Sequence, residues 1–267
     1  MIVTLLTDYG YDDEFVGVLH GVIRRIRPTV PIVDVSHGIT RHDVREGAIV
    51  LRNTLPYLPV GVHVAVVDPQ VGTERRALAV RCADDRILVG PDNGVLSLAW
   101  ERAGGAVEAV DVSRSPFRLE PVSATFHGRD VFAPVAARIG AGAELLEAGE
   151  PLDLSELEVL ALPTAAVADG VAIGHVLVVD RYGNVALDMD HEVLLSLGLA
   201  IGAEVTVTAG GREREARVVQ TFADVPEGDL ILYEDAWGSL ALAVNRGDAA
   251  AALGLGPDDE VRVAPVA

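Results

Sequence analysis

The sequence predicts an α/β protein in two parts: an N-terminal, mainly parallel α/β sandwich domain over residues 1–150 and a small C-terminal antiparallel β-barrel domain over residues 169–267. Three observations carry that prediction. Up to about residue 140, short aliphatic runs alternate with segments of helical period, the pattern of doubly buried strands covered by helices. Beyond residue 168 the apolar period becomes two, as in half-buried antiparallel strands. Between them, Leu145 to Ala168 holds Pro151, Pro163 and many acidic residues, and residues 151–168 read as a linker crossing the surface.

Ile2 to Leu6 is a buried strand. Phe15, Val18, Leu19, Val22, Ile23 and Ile26 recur at helical spacing until Pro28 stops them. Further strands are expected at Ile32 to Val35, Val62 to Val67, Ala77 to Arg81, Ile87 to Val89 and Val107 to Val110. Helices are expected at Arg45 to Leu55, Gly94 to Arg102 and Asp130 to Ile139. In the second part, Val171 to Asp180, Val185 to Asp188, Glu204 to Thr208, Glu213 to Gln220, Leu230 to Tyr233 and Val261 to Val263 read as short strands. Gly210-Gly211 between two of them signals a hairpin. No internal repeat or low-complexity tract is visible.

Composition excludes several functions. The 21 Lys+Arg against 40 Asp+Glu leave a net charge of −19, which argues against a nucleic-acid partner, because phosphate contacts need clustered cations. Every cation is an arginine, which excludes a Schiff-base lysine and a Walker-type phosphate lysine. The single cysteine, Cys82, allows no intramolecular disulfide and no multi-thiolate zinc site, and suits a reducing cytoplasm. The N-terminus lacks the basic start of a signal peptide, and no apolar run reaches membrane-spanning length, so a soluble cytoplasmic protein without membrane contact is expected.

The dinucleotide, Walker, HExxH, GxSxG and EF-hand motifs are all missing. Polar residues instead collect where strands end, the place where an open α/β sheet binds its ligand. These are Asp8-Tyr9-Gly10, Asp34-Val35-Ser36-His37, Asp68-Pro69, Gly90-Pro91-Asp92-Asn93-Gly94, Thr125 to Asp130 and, in the second part, Asp180-Arg181-Tyr182-Gly183-Asn184. Each also has a structural reading. Asp8 could cap the following helix, Asp92-Asn93-Gly94 is an ordinary turn tripeptide, and Asp12, Asp13 and Glu14 fit a first helical turn. His37, His42 and Asp43 read as hydrogen-bonded structure, and no metal is expected. On chemistry alone His127 is as compatible with structure as with function.

Taken together, the ordered blocks resemble a known family. Leu6-Thr7-Asp8-Tyr9-Gly10, Val16-Gly17-Val18, Gly21-Val22-Ile23, Asp34 to His37, Val66 to Pro69, Val71-Gly72-Thr73, Arg75-Arg76, Gly90 to Gly94, Thr125 to Asp130, Asp180 to Asn184 and Ala243 to Gly247 are similar to blocks of the S-adenosyl-L-methionine (SAM) hydroxide adenosyltransferases, relatives of the fluorinase and chlorinase. The resemblance implies an α/β domain followed by a β-barrel, and a homotrimer whose sites lie between one subunit's first domain and the next one's second. It implies SAM as substrate, with adenosine and L-methionine as products and no metal or organic cofactor. It maps an Asp-Arg-His catalytic triad onto Asp68, Arg75 and His127. Asp8 would hold the ribose hydroxyls, Asp180 the methionine ammonium, and Asn184 with Tyr182 the adenine, with Arg246 also in the substrate-binding set.

Chemistry supports the triad independently. Attack of water at C5′ expels a neutral thioether from a sulfonium, so the leaving group needs no acid, whereas the water must shed a proton. Either Asp68 or His127 can accept it, and Arg75 can stabilise hydroxide character; a positioned proton acceptor typically contributes roughly 10²–10⁴-fold. In the halogenases the resemblance places Tyr-Pro and Tyr where this chain has Asp68-Pro69 and His127, and a carboxylate at Asp68 would repel a halide. Gly128 stands where the fluorinase has its halide-binding Ser, although the chlorinase also has Gly there. Two departures stand out: Gln70 replaces a usual Gly, and Ala236-Trp237 stand where the resemblance expects the Ser or Arg that holds the methionine carboxylate, so that group must be held by backbone N–H groups or elsewhere. A chlorinase-like halogenase and a SAM or adenosine binding protein without turnover are the alternative readings.

Overall fold

Apolar runs that lack alternation become central strands in the computed structural model, which describes residues 1–266. The chain divides into two units, Met1–Leu160 and the remainder from Ala161. The first unit is built on one seven-stranded sheet of β1 (Ile2–Thr7), β2 (Ile32–Ser36), β3 (Gly61–Val66), β4 (Ala77–Cys82), β5 (Ile87–Pro91), β6 (Ala106–Asp111) and β7 (Glu150–Pro151), in the order β2-β1-β3-β5-β4-β6-β7. The pairs β2–β1, β1–β3 and β3–β5 are parallel, with Ile2 opposite Gly61 and Val62 opposite Ile87. The pairs β5–β4, β4–β6 and β6–β7 are antiparallel. Only Ala83 to Arg86 separate β4 from β5, too short for the crossover a parallel pair requires.

Both faces of this sheet are covered, which explains the unbroken apolar runs. On one side α1 (Phe15–Ile26) and α4 (Ala133–Gly140) bring Leu19, Ile23, Val135 and Ile139 onto Val3, Leu5, Val62 and Val64. On the other, α2 (Val44–Thr54) and α3 (Ser97–Arg102) bring Leu51, Ala99 and Trp100 onto Leu6, Ala65, Val67 and Leu88. Each fully buried Leu or Ile of these layers contributes about 1.5–3 kcal/mol. Because α1 and α2 leave β1 and β2 on opposite faces, the C-terminal ends of β1 and β3 flank a topological switch point.

Helix α1 begins at Phe15, with Glu14 as an N-cap residue that makes no side-chain cap bond, so Asp12 and Asp13 precede the helix rather than occupying its first turn. The acidic stretch after residue 145 is partly ordered against the first unit: Leu145, Ala148 (α5, Leu145–Ala148) and Leu157 are buried, and Leu152 N–H donates to Ala109 O at 2.9 Å.

The second unit is a barrel of β9 (Val171–Val179), β10 (Val185–Asp190), β11 (Glu204–Ala209), β12 (Arg212–Val218), β13 (Leu230–Glu234), β14 (Ser239–Val244) and β15 (Glu260–Pro265), with β8 (Ala166–Ala168) added outside β9. Pairing of β9 with β10 closes it. Gly210 and Gly211, at φ +55° and +74°, form the predicted hairpin between β11 and β12, whose turn needs a positive φ at both central residues. One seam, β12–β13, is parallel, and the crossover that joins these strands carries a 3₁₀ turn at Phe222–Asp224. Strand β14 has no sequence prediction behind it, because Leu240, Ala241, Leu242 and Ala243 are all buried and the period-two signal is lost. The short helices α6 (His191–Ser196) and α7 (Ala249–Leu253) are likewise unpredicted.

Candidate active site

Asp68 lies just beyond β3 and Arg75 just before β4, joined by a compact turn. Val71 N–H donates to Asp68 O at 3.3 Å, and Gln70 O accepts from Thr73 N at 3.1 Å and from Thr73 Oγ1 at 2.7 Å. Gln70 does not have a positive φ, so the turn tolerates a side chain where the resemblance predicts glycine. Gly72 is different: at φ +81° it presses so closely on Ala124 O that a Cβ would overlap the carbonyl. That contact sets the Asp68–Arg75 turn against the segment carrying His127.

The 123–132 segment is braced from within. Asp130, with its side chain 2% exposed, accepts from Arg129 Nε at 2.6 Å, Arg129 Nη2 at 2.8 Å and Ser123 N at 2.8 Å, while its carbonyl accepts from Leu119 N at 2.8 Å. The Arg129 guanidinium also stacks over Phe126, 5.2 Å from the ring centroid. A π-helical turn at Gly128–Phe132 then leads into α4, with His127 immediately before it.

Asp68, Arg75 and His127 meet in one cluster. Arg75 Nε donates to Asp68 Oδ1 at 3.0 Å and Oδ2 at 3.1 Å, and Arg75 Nη2 donates both to Asp68 Oδ2 and, at 3.0 Å, to His127 Nδ1. The Asp68 and Arg75 side chains are 6% and 4% exposed, and Phe132 lies under the guanidinium, 5.3 Å away. An arginine only donates. His127 Nδ1 is therefore an acceptor, and the neutral ring carries its proton on Nε2. Burial, then the Arg75 charge, pushes the His127 pKa below the usual imidazole value, against the opposing pull of Asp68 and Asp130, which keeps the ring neutral.

Around the cluster, Asp8 does not cap α1; its Oδ2 accepts from His42 N at 2.9 Å, with His42 in a left-handed conformation at φ +68°. Tyr9, Phe15 and Phe126 form an aromatic trio with centroids 5.2–5.9 Å apart. His37 is structural: its Nδ1 lies 2.8 Å from Thr7 Oγ1 and its Nε2 3.1 Å from Asp34 Oδ1, which also meets His20 Nε2 at 2.8 Å. Asp92 is consumed by Arg76 Nε at 2.8 Å and Glu158 N at 2.9 Å, and Asn93 Nδ2 donates to Val67 O at 2.9 Å. Among the described residues no group of three or more His, Cys, Asp or Glu side chains gathers as a metal site.

In the second unit Asp180 organises the turn between β9 and β10. Its Oδ1 accepts from Tyr182 N at 2.8 Å and Asn184 N at 3.0 Å, and its Oδ2 from Asn184 Nδ2 at 2.8 Å, leaving Tyr182 71% exposed. Arg246, at φ +57°, pairs with Glu227 at 2.5 Å on the surface. The β13–β14 turn repeats the first one: Asp235 Oδ1 accepts from Trp237 N at 2.8 Å and Ser239 N at 3.0 Å, and Gly238 N donates to Asp235 O at 3.2 Å, as Gly183 N does to Asp180 O at 2.9 Å. Both turns display an exposed aromatic, Tyr182 and Trp237, the latter 48% exposed. This repetition was legible as Asp-x-aromatic-Gly, a pattern too short to register as a repeat. The backbone donors of Trp237, Gly238 and Ser239, a possible substitute grip for a carboxylate, are already engaged. Tyr9 is the other residue that sequence reasoning passed over, although it follows Asp8 directly at the end of β1.

Comparison with known proteins places these features in context. Residues 3–149 match the SAM hydroxide adenosyltransferase N-terminal domain family and residues 174–262 the corresponding C-terminal domain family. An (R)-S-adenosyl-L-methionine hydrolase from Salinispora tropica is 45% identical over 262 residues, covering 98% of this chain and 97% of the relative. A hydrolase of the same name from Thermus thermophilus is 38% identical, covering 98% of each. A fluorinase from an Actinoplanes species is 30% identical, covering 91% of each. The crystal structure of an uncharacterized conserved protein from Thermotoga maritima superposes with a TM-score of 0.92 at 36% identity, over 98% of this chain and 100% of that one.

Proposed function

The chain belongs to the SAM hydroxide adenosyltransferase family and is an adenosine-forming SAM hydrolase, and we propose that Asp68, Arg75 and His127 carry its chemistry. The observation that supports this most is the bridging of Asp68 and His127 by one buried guanidinium. Water attacks ribose C5′, the C5′–S bond breaks with its electron pair leaving on sulfur, and neutral methionine thioether departs. With Nδ1 occupied by Arg75 and Nε2 protonated, His127 has no free lone pair, so the water proton passes to Asp68 and later to solvent. His127 Nε2–H donates to the oxygen as it gains hydroxide character, and Arg75 holds both partners in place. Nucleophile and sulfonium cancel their charges in the transition state, so a dry site favours it.

Asp8, Asp180, Tyr182, Asn184 and Arg246 are proposed to bind the substrate, in a homotrimer whose sites draw on two subunits, without metal or organic cofactor and in the cytoplasm. The relatives' name specifies the R configuration at the stereogenic sulfonium, and we take that epimer as the preferred substrate. The hydrolase relatives, at 45% and 38% identity against 30% for the fluorinase, favour hydrolysis over halogenation, as does the Asp68 carboxylate. Reaction of each sulfonium epimer in ¹⁸O-water, with and without chloride, tests the reading: label in adenosine is expected, and label in the methionine product, a chlorinated nucleoside, or no adenosine rejects it.

A further inference from the structure

The aromatic trio beside the triad contains a hydroxyl that the reaction as written does not use. Tyr9 follows Asp8 at the end of β1, its N–H donates to Thr7 Oγ1 at 3.1 Å, and its ring is held between Phe15 and Phe126. The Tyr9 oxygen stands against Gly128, so close that a Cβ at residue 128 would overlap it, with the Phe126 ring 3.4 Å from the same point. Gly128 does not have a positive φ, so the backbone does not demand glycine there; the Tyr9 hydroxyl does. Residue 128 directly follows His127, which puts this hydroxyl at the triad's edge. Among the described residues it has no hydrogen-bond partner. Tyr9 is only partly buried, so this hydroxyl is open to a ligand rather than sealed in the core. Burial, then the charges of Asp8 and Asp68, raises its pKa against the effect of Arg75, so it is a neutral phenol that can accept as well as donate.

We propose that the Tyr9 hydroxyl is a fourth polar member of the hydrolytic site, accepting the second O–H of the attacking water while Asp68 takes the first. Fixing that bond turns the oxygen lone pair toward C5′ without withdrawing it, and Gly128 is the steric counterpart that leaves room for the phenol. The inference rests on the hydrolase reading. Tyr9→Phe keeps the ring packing and removes only the oxygen. It should lower kcat by about tenfold with KM changed less than about twofold, the mark of an interaction made in the transition state. Gly128→Ser should lower Tm, and adding Tyr9→Phe should restore it and recover part of the activity, because the serine hydroxyl then occupies the vacated position. Unchanged kcat in Tyr9→Phe, or a raised KM at full kcat, overturns the proposal, as does a Gly128→Ser variant whose Tm is indifferent to the Tyr9 hydroxyl. A wild-type protein that forms no adenosine from either sulfonium epimer rejects the hydrolase reading and this inference with it; an active wild type beside an unaffected Tyr9→Phe rejects the inference alone.

Discussion

Replacing His127 by Gln and by Ala, beside Asp68→Asn, separates the two groups that could accept the water proton. The 3.0 Å contact from Arg75 Nη2 to His127 Nδ1 makes the ring an acceptor on that side and a donor at Nε2. A glutamine amide supplies both functions, one oxygen to accept and an N–H to donate, but cannot take a proton at neutral pH. If His127 only donates, Gln should stay within about tenfold of wild type, whereas Ala forfeits a hydrogen bond to a charge-bearing oxygen, about 1.5–3 kcal/mol or roughly 10–150-fold. Asp68→Asn removes the proton acceptor and should cost roughly 10²-fold or more in kcat, at least about 2.7 kcal/mol. Asn still offers an oxygen to Arg75, which limits the destabilisation of about 3–5 kcal/mol that follows when a buried pair loses one partner outright. Adenosine release followed by chromatography gives kcat and KM, and Tm confirms that each variant is folded. Should His127→Gln be as inactive as His127→Ala while Asp68→Asn retains more than a tenth of wild-type kcat, His127 is the base and the tautomer argument is wrong.

Further outcomes are expected. His63 is fully buried in β3 with Nδ1 3.0 Å from Thr4 Oγ1, and burial followed by the Arg86 charge, against the opposing effect of Asp84, pushes its pKa down to about 4. Between that value and the ordinary 6.5 the unfolded chain binds the extra proton, so stability rises with pH through this window and falls as pH drops through it; wild type should lose about 2 kcal/mol more than His63→Gln between pH 7 and pH 5 in urea titrations, and equal losses would refute the assignment. Because Trp237, Gly238 and Ser239 N–H groups are committed within their turn, Ala236→Ser should lower KM for SAM with little change in kcat, and an unchanged or raised KM in the folded variant would mean that the ligand's carboxylate binds elsewhere. For the proposed trimer, mixing impaired His127→Ala with impaired Asp180→Ala subunits should raise activity above the sum of the two separate variants, and no gain despite demonstrated subunit exchange would confine each site to one chain.

Much of the fold was legible because burial on two faces erases alternation, and that erasure is itself a signal. Ile2 to Leu6 and Val62 to Val67 could only be strands covered on both sides, and α1 and α4 on one face with α2 and α3 on the other cover them. The same erasure hid β14, where Leu240 to Ala243 are all buried and neither length nor flanks distinguished the strand from a loop of small residues. Antiparallel β4 and β5 were readable in principle, since four intervening residues permit only a hairpin.

The site was legible as residue types and not as roles. Asp8, Asp92 and Asp180 stood out equally as carboxylates at strand ends, yet Asp92 is consumed by Arg76 and Glu158, and Asp180 shapes its own turn, whereas Asp68 meets a buried guanidinium that it shares with an imidazole. What separates them is which donor arrives at each oxygen, a property of packing between segments distant in sequence. His127 shows the limit most sharply: 52 residues separate it from Arg75, so no local pattern could assign its protonated nitrogen. Once Arg75 is known to face Nδ1, however, elementary chemistry does the rest, because a group that can only donate leaves its partner no choice of tautomer. The proposal that Asp68 is the base therefore rests on one contact and one chemical fact, and it stands or falls with the His127→Gln comparison.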